Sequence, residues 1–68
     1  METIEIKTGS IQLDQLLKWA GAVETGGEGK MLIQSGQVLL NGAVETRRSK
    51  KVYPNDIVTV GSRTFKVV

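Results

Sequence analysis

Four of the nine basic side chains in this 68-residue sequence fall within five positions, Arg47-Arg48-Ser49-Lys50-Lys51. No acid interrupts the run. Arginine presents a planar fork that matches phosphate, and lysine adds a compact point charge. Crowded like charges repel one another, so a domain with no anionic partner gains nothing from holding them together. The window is therefore read as a phosphate-contacting loop in preference to a merely solubilising one. A second segment with chemistry in reach is Thr25-Gly26-Gly27-Glu28-Gly29-Lys30. Bare backbone N–H groups at Gly26, Gly27 and Glu28, at the start of a helix, would form an anion site without any side chain. The Glu28 carboxylate opposes this, and the spacing lacks the G-x-x-x-x-G-K-[ST] of a nucleotide-binding loop. The plainer reading is a turn and helix cap whose glycines allow two helices to approach closely.

Other chemistry is excluded by what the sequence lacks. It has no cysteine and no histidine, which removes disulfides, cysteine–histidine metal sites and every thiol or imidazole mechanism. The acids Glu2, Glu5, Asp14, Glu24, Glu28, Glu45 and Asp56 are scattered, and nothing pairs a nucleophile with an oriented base. The expectation is a non-enzymatic protein without a cofactor or a metal. Charge is uneven along the chain. Residues 1–34 hold three basic and five acidic side chains, whereas residues 35–68 hold six basic and two acidic ones. The start of the chain has no apolar leader segment, and no apolar run nears the roughly 18 residues of a membrane span. A cytoplasmic protein without membrane contact is expected.

The elements that must carry these segments follow from hydrophobic spacing. Thr3 to Lys7 alternates apolar and charged residues, as a half-buried strand does. Ser10 is a candidate N-cap for a helix over Ile11 to Ala20, in which Leu13, Leu16, Leu17 and Ala20 share one face. Asp14 and Lys18 suit the two ends of its dipole, and Gly21 suits its C-terminus. Thr25 can cap a second helix from Gly27 to Ser35, with Leu32 and Ile33 turned inward and Gly36 as its stop. Asn41-Gly42 between Val38–Leu40 and Ala43–Thr46 is a strong hairpin signal, since both residues tolerate positive φ. Pro54-Asn55-Asp56 is a turn. Ile57–Val60 and Thr64–Val68 are closing strands joined through Gly61-Ser62. The fold class expected is α+β, two short helices packed on a small, mostly antiparallel sheet, with residues 1–68 forming a single domain. Trp19 is displaced from the apolar face toward Gln12 and Gln15, as a boundary side chain covering the sheet would be. Stacking on a splayed base ranks below that. Tyr53 and Phe65 are read as core or rim.

The runs Leu13-Asp14-Gln15-Leu16-Leu17-Lys18-Trp19-Ala20-Gly21, Thr25 to Ile33 and Gly36-Gln37-Val38-Leu39-Leu40-Asn41-Gly42 resemble the ribosomal-protein-S-four-type RNA-binding domain, or alpha-L motif. Pro54-Asn55-Asp56-Ile57 is similar to its last element. The likeness covers about residues 11–60 and is nearest to short stand-alone bacterial members. Departures accompany the matches. Gln12 stands where the family has arginine before leucine-aspartate, and Thr25-Gly26 stands where it has serine-arginine. Lys30 keeps a position that is basic in the family.

The resemblance implies a monomer that binds structured RNA, with ribosomal RNA during ribosome assembly or maintenance as the expected target. The first helix, the start of the second and the basic loop would share one surface. The contact set it implies is Gln12, Lys18, Thr25, Gly26, Gly27, Lys30, Asn41, Arg47, Arg48, Lys50 and Lys51, with Asn41 also a turn residue that any hairpin could use. A rival is a protein-interaction adaptor on the same fold, favoured by the two absent arginines and disfavoured by the basic loop. DNA ranks third, because no helix is rich in base-reading polar residues.

Overall fold

The computed structural model describes residues 1–68, and its main sheet is built on two tight turns. Asn41 and Gly42 both take positive φ, 52° and 84°, the twist that joins antiparallel strands without splaying them. They connect β3 (Val38–Leu40) to the short β4 (Ala43–Val44), and the Glu45 N–H to Val38 carbonyl bond extends this pairing. Gly61, at φ 60°, turns β6 (Ile57–Val60) into β7 (Arg63–Val67). The first strand, β1 (Glu2–Ile4), pairs parallel with β7 and completes the order β1-β7-β6-β3-β4. This strand is shorter than the Thr3–Lys7 alternation predicts. Its partner β7 ends at Val67, so only the bonds from the Val68 N–H to Ile4 and from the Ile6 N–H to Val68 carry the contact further.

The first helix also begins later than its periodicity predicts. Ile11 and Gln12 form β2, antiparallel to β5 (Lys51–Val52), with Gln12 opposite Lys51. Helix α1 then runs Leu13–Trp19. Ser10 is not its cap, and Gln12, the residue in that position, makes no side-chain cap bond. Two backbone carbonyls from the basic window do that work instead. Leu13 N–H donates to Lys50 at 2.9 Å and Asp14 N–H to Arg48 at 3.1 Å, satisfying helix donors that would otherwise lack partners. Gly21, at φ 74°, closes the far end as expected.

Helix α2 (Gly26–Gln34) is capped by Thr25, whose Oγ1 accepts from the Glu28 N–H at 3.1 Å. Glu28 returns its own carboxylate to the Glu24 N–H at 2.8 Å. Gly36, at φ 81°, follows the helix end. Close approach of the helices falls to Gly29, which is buried. A Cβ there would lie 3.4 Å from the Asp14 carbonyl oxygen and 3.5 Å from Val23.

The core unites Leu13, Leu16, Leu17, Val23 and Ile33 of the helical half with Val38, Val52, Val58, Phe65 and Val67 of the strands. Leu32 and Ala20 pack against this cluster but stay partly exposed, since a helix turns about 100° per residue and Ile33 takes the inward position. Phe65 is fully buried, whereas Tyr53 is exposed. Trp19 departs from its expected place over the sheet. It is 62% exposed, and its indole lies against the N-terminal segment.

Candidate nucleic-acid interface

The basic window is a turn stitched to the first helix. Lys50 N–H donates to the Arg47 carbonyl at 3.2 Å, closing the turn. The Arg48 and Lys50 carbonyls accept from α1, and Lys51 enters the β2–β5 pairing. Backbone polar groups thus face the fold, while Arg48 and Lys51 are exposed and Lys50 is half-buried. A charged segment held this way loses less conformational freedom on meeting an anion than a loose loop does.

One of its four cations is already paired. Arg47 Nε lies 3.2 Å from Glu45 Oε2, and the Arg47 backbone N–H donates to the same oxygen at 3.1 Å. Hydrogen bonds from Arg47 hold the Glu45 carboxyl below the ordinary carboxylate range, and the same contact raises the guanidinium further. Glu45 stands two residues before the run and beyond β4, which stops at Val44, short of the expected Ala43–Thr46 strand. Arg48, Lys50 and Lys51 have no acid partner, since the only other ion pair joins Arg63 to Glu2.

Three of the elements marked in the sequence converge at this turn. Gln12 sits opposite Lys51. Asp14, bonded to Arg48 through its N–H, is the residue against which Gly29 packs, and this brings the first half of α2 to the same end of α1. Lys30 follows Gly29 and is half-buried. Gly26 and Gly27 are exposed; the space where a side chain would start is open at Gly26, and at Gly27 it meets only Thr25 Oγ1 at 4.0 Å. Their surroundings are less favourable to an anion than bare glycines suggest. The Glu28 N–H is taken by Thr25, and the Glu28 carboxylate sits at the helix entrance.

Two residues of the contact set stand apart from this junction. Lys18 lies in the last turn of α1, beside Ile11, Gln15 and Trp19. Asn41 is engaged within the fold: its Nδ2 donates to Asp56 at 3.1 Å and its Oδ1 accepts from the Ile57 N–H at 2.8 Å. These bonds pin the β3–β4 turn to the Pro54–Asp56 turn. Arg63, which no motif singled out, links Glu2, the Ala20 carbonyl and the Phe65 ring. Its signal lies in residues far apart in sequence.

No helix is long and apolar enough to cross a membrane, and no group of three or more acidic, histidine or cysteine side chains is placed to hold a metal ion. The model of a family described as "S4 domain" matches residues 4–68, further in both directions than the motifs of residues 11–60. The chain is 38% identical over 66 residues to the Bacillus subtilis protein named "Probable ribosome maturation protein RlbA", covering 96% of this chain and 93% of that one. It is also 38% identical over 58 residues to Escherichia coli "Putative RNA-binding protein YbcJ", covering 85% of this chain and 83% of that one. The solution structure of YbcJ, described as revealing an alfaL motif involved in RNA binding, superposes with a TM-score of 0.76 at 36% identity. That match covers 100% of this chain and 87% of the other.

Proposed function

Because this chain belongs to the S4 domain family, we propose that it is a non-enzymatic, cytoplasmic RNA-binding protein that acts as a monomer on structured RNA, with ribosomal RNA during subunit maturation as its target. One observation carries the placement of the contact: the backbone of the basic turn is bonded to the first turn of α1, leaving Arg48, Lys50 and Lys51 without acid partners at the helix junction. A-form RNA has a major groove too narrow for side chains to read, so such a surface contacts phosphates and local shape more than sequence. Gly26 and Gly27 add a secondary contact through their N–H groups, weakened by Glu28.

The test is the salt dependence of binding to a fragment of structured ribosomal RNA. Combined replacement of Arg48, Lys50 and Lys51 by Ala should weaken binding strongly. The log–log salt slope should fall by about 0.7 to 0.9 for each phosphate contact removed. Parental affinity and slope in the folded variant would defeat this placement of the contact. The glycine contact has its own check. Gly27→Val should weaken binding modestly in a protein that melts near the parent, and unaltered affinity would reduce the loop to a connector.

The adaptor reading draws support from Gln12 and Gly26, which occupy the places of family arginines, and from the pairing of Arg47 with Glu45. It requires tight, salt-insensitive association with a protein and no measurable affinity for RNA.

A further inference from the structure

Trp19 is the more exposed of the two surface aromatics, ahead of Tyr53, and lies away from the basic junction. It is 62% exposed, yet its indole is tied down, with Nε1 donating to the Glu5 carbonyl at 3.1 Å. That bond satisfies the only polar group of the side chain, so the outward part of the ring is a fixed apolar surface. The ring borders two shallow hollows that both include Ile11. Lys7 and Thr8 line one, and Gln15 and Lys18 line the other. Neither Lys7 nor Lys18 has an acid partner. An anchored aromatic surface between two uncompensated ammonium groups suits a ligand that is flat at its centre and anionic on both sides.

A nucleotide within a strand has that form. We propose, on the basis of the RNA-binding reading above, that Trp19 is a stacking platform for an unpaired base of the bound RNA, with Lys7 and Lys18 holding the flanking phosphates. The position along α1 agrees. Gln12, Gln15 and Trp19 are all exposed, and this stripe starts opposite Lys51 of the basic turn. At 1.5 Å per residue it runs about 10 Å along the helix. RNA whose paired region rests on Arg48, Lys50 and Lys51 therefore meets Trp19 where its strand leaves the duplex. The preferred ligand is a junction, loop or bulge beside a stem, in contrast to uninterrupted duplex.

The chain has one tryptophan, so its fluorescence reports this ring alone. Two RNAs serve as probes: a blunt duplex, and the same stem carrying an unpaired extension. The extended RNA should quench the fluorescence and the blunt duplex should not. Trp19→Ala should lose about tenfold or more in affinity for the extended RNA while binding the blunt duplex like the parent. Trp19→Phe also lacks the bond to Glu5 but keeps a ring, so it should retain most of the affinity, which separates stacking from anchoring. Melting curves on the same samples identify any variant that unfolds, and the quenching of the parent needs no variant. Binding that depends on the basic turn, without quenching and with equal affinity in Trp19→Ala, would overturn the stacking site and leave the RNA-binding reading intact. Failure of the parent to bind either RNA would overturn both.

Discussion

Glu45 tempers the basic turn. Its carboxylate holds Arg47 in a contact that occupies the guanidinium Nε, leaving one of the four adjacent cations partly neutralised. Such an exposed pair is itself worth little to stability, so its consequence lies in binding. Glu45→Gln removes the negative charge that acts on Lys50 and releases the Arg47 fork. RNA affinity should rise several-fold at low salt, with a steeper salt slope and a nearly unchanged melting temperature; equal slopes in the two proteins would show that Arg47 gains no phosphate. Asn41 presents the opposite case, a polar residue in the contact set whose side chain is already engaged. Asn41→Ala loses two hydrogen bonds and leaves a β-carbon at φ 52°. The expected cost is about 1–3 kcal/mol in urea unfolding. RNA affinity should hold wherever the variant is folded, and an affinity loss without destabilisation would return Asn41 to the interface.

The decisive contact between elements is the crossing of α1 and α2 at Gly29. A methyl group there would lie at ordinary contact distance from Asp14 and Val23, and alanine is the better helix former by up to about 1 kcal/mol. Gly29→Ala should therefore leave stability unchanged or slightly raised. Gly29→Val must force the helices apart and should destabilise by about 1–3 kcal/mol. Since Asp14 also donates to Arg48, the same strain reaches the basic turn, and RNA binding should weaken in Gly29→Val even where it stays folded. Chemical denaturation and RNA titration on both variants check this. A fully folded Gly29→Val with parental affinity would show that the crossing does not set the interface.

Over the whole molecule, Arg63 closes the structure by joining β7 to β1 and to the end of α1. Its guanidinium makes paired contacts with Glu2 at 2.9 and 3.0 Å, and this hydrogen bonding holds the Glu2 carboxyl below its ordinary value. A carboxyl lowered in the folded state contributes stability above its unfolded-state pKa, about 4.3 for glutamate, and loses that contribution as pH falls through the lower folded value. Glu45 acts with the same sign. Thermal stability should therefore decline as pH falls below about 4.3 and through the lower folded value, and less steeply in Glu2→Gln. Parallel pH–melting profiles for parent and variant would show that the β1–β7 tie makes no contribution.

Local signals in the sequence determined much of this protein by themselves. Asn41-Gly42 specified a hairpin because both residues accept positive φ, the leucine spacing specified the buried face of α1, and Thr25 marked the start of α2. The motifs of residues 13–21, 25–33 and 36–42 identified the family, and the basic run supplied the proposed contact. Contacts between distant segments decided the rest. Helix α1 starts at Leu13 because Ile11 and Gln12 find a strand partner at Lys51 and Val52, a pairing too short to show as alternation. The cap of α1 comes from main-chain carbonyls, and every residue type has one, so no side chain announces it. Spacing puts Trp19 off the apolar face of α1, but its indole is fixed against the N-terminal segment because the Glu5 carbonyl accepts from it across fourteen positions. Sequence spacing records which side chains share a face of one element; it carries no record of which backbone groups another segment will bring into hydrogen-bonding reach.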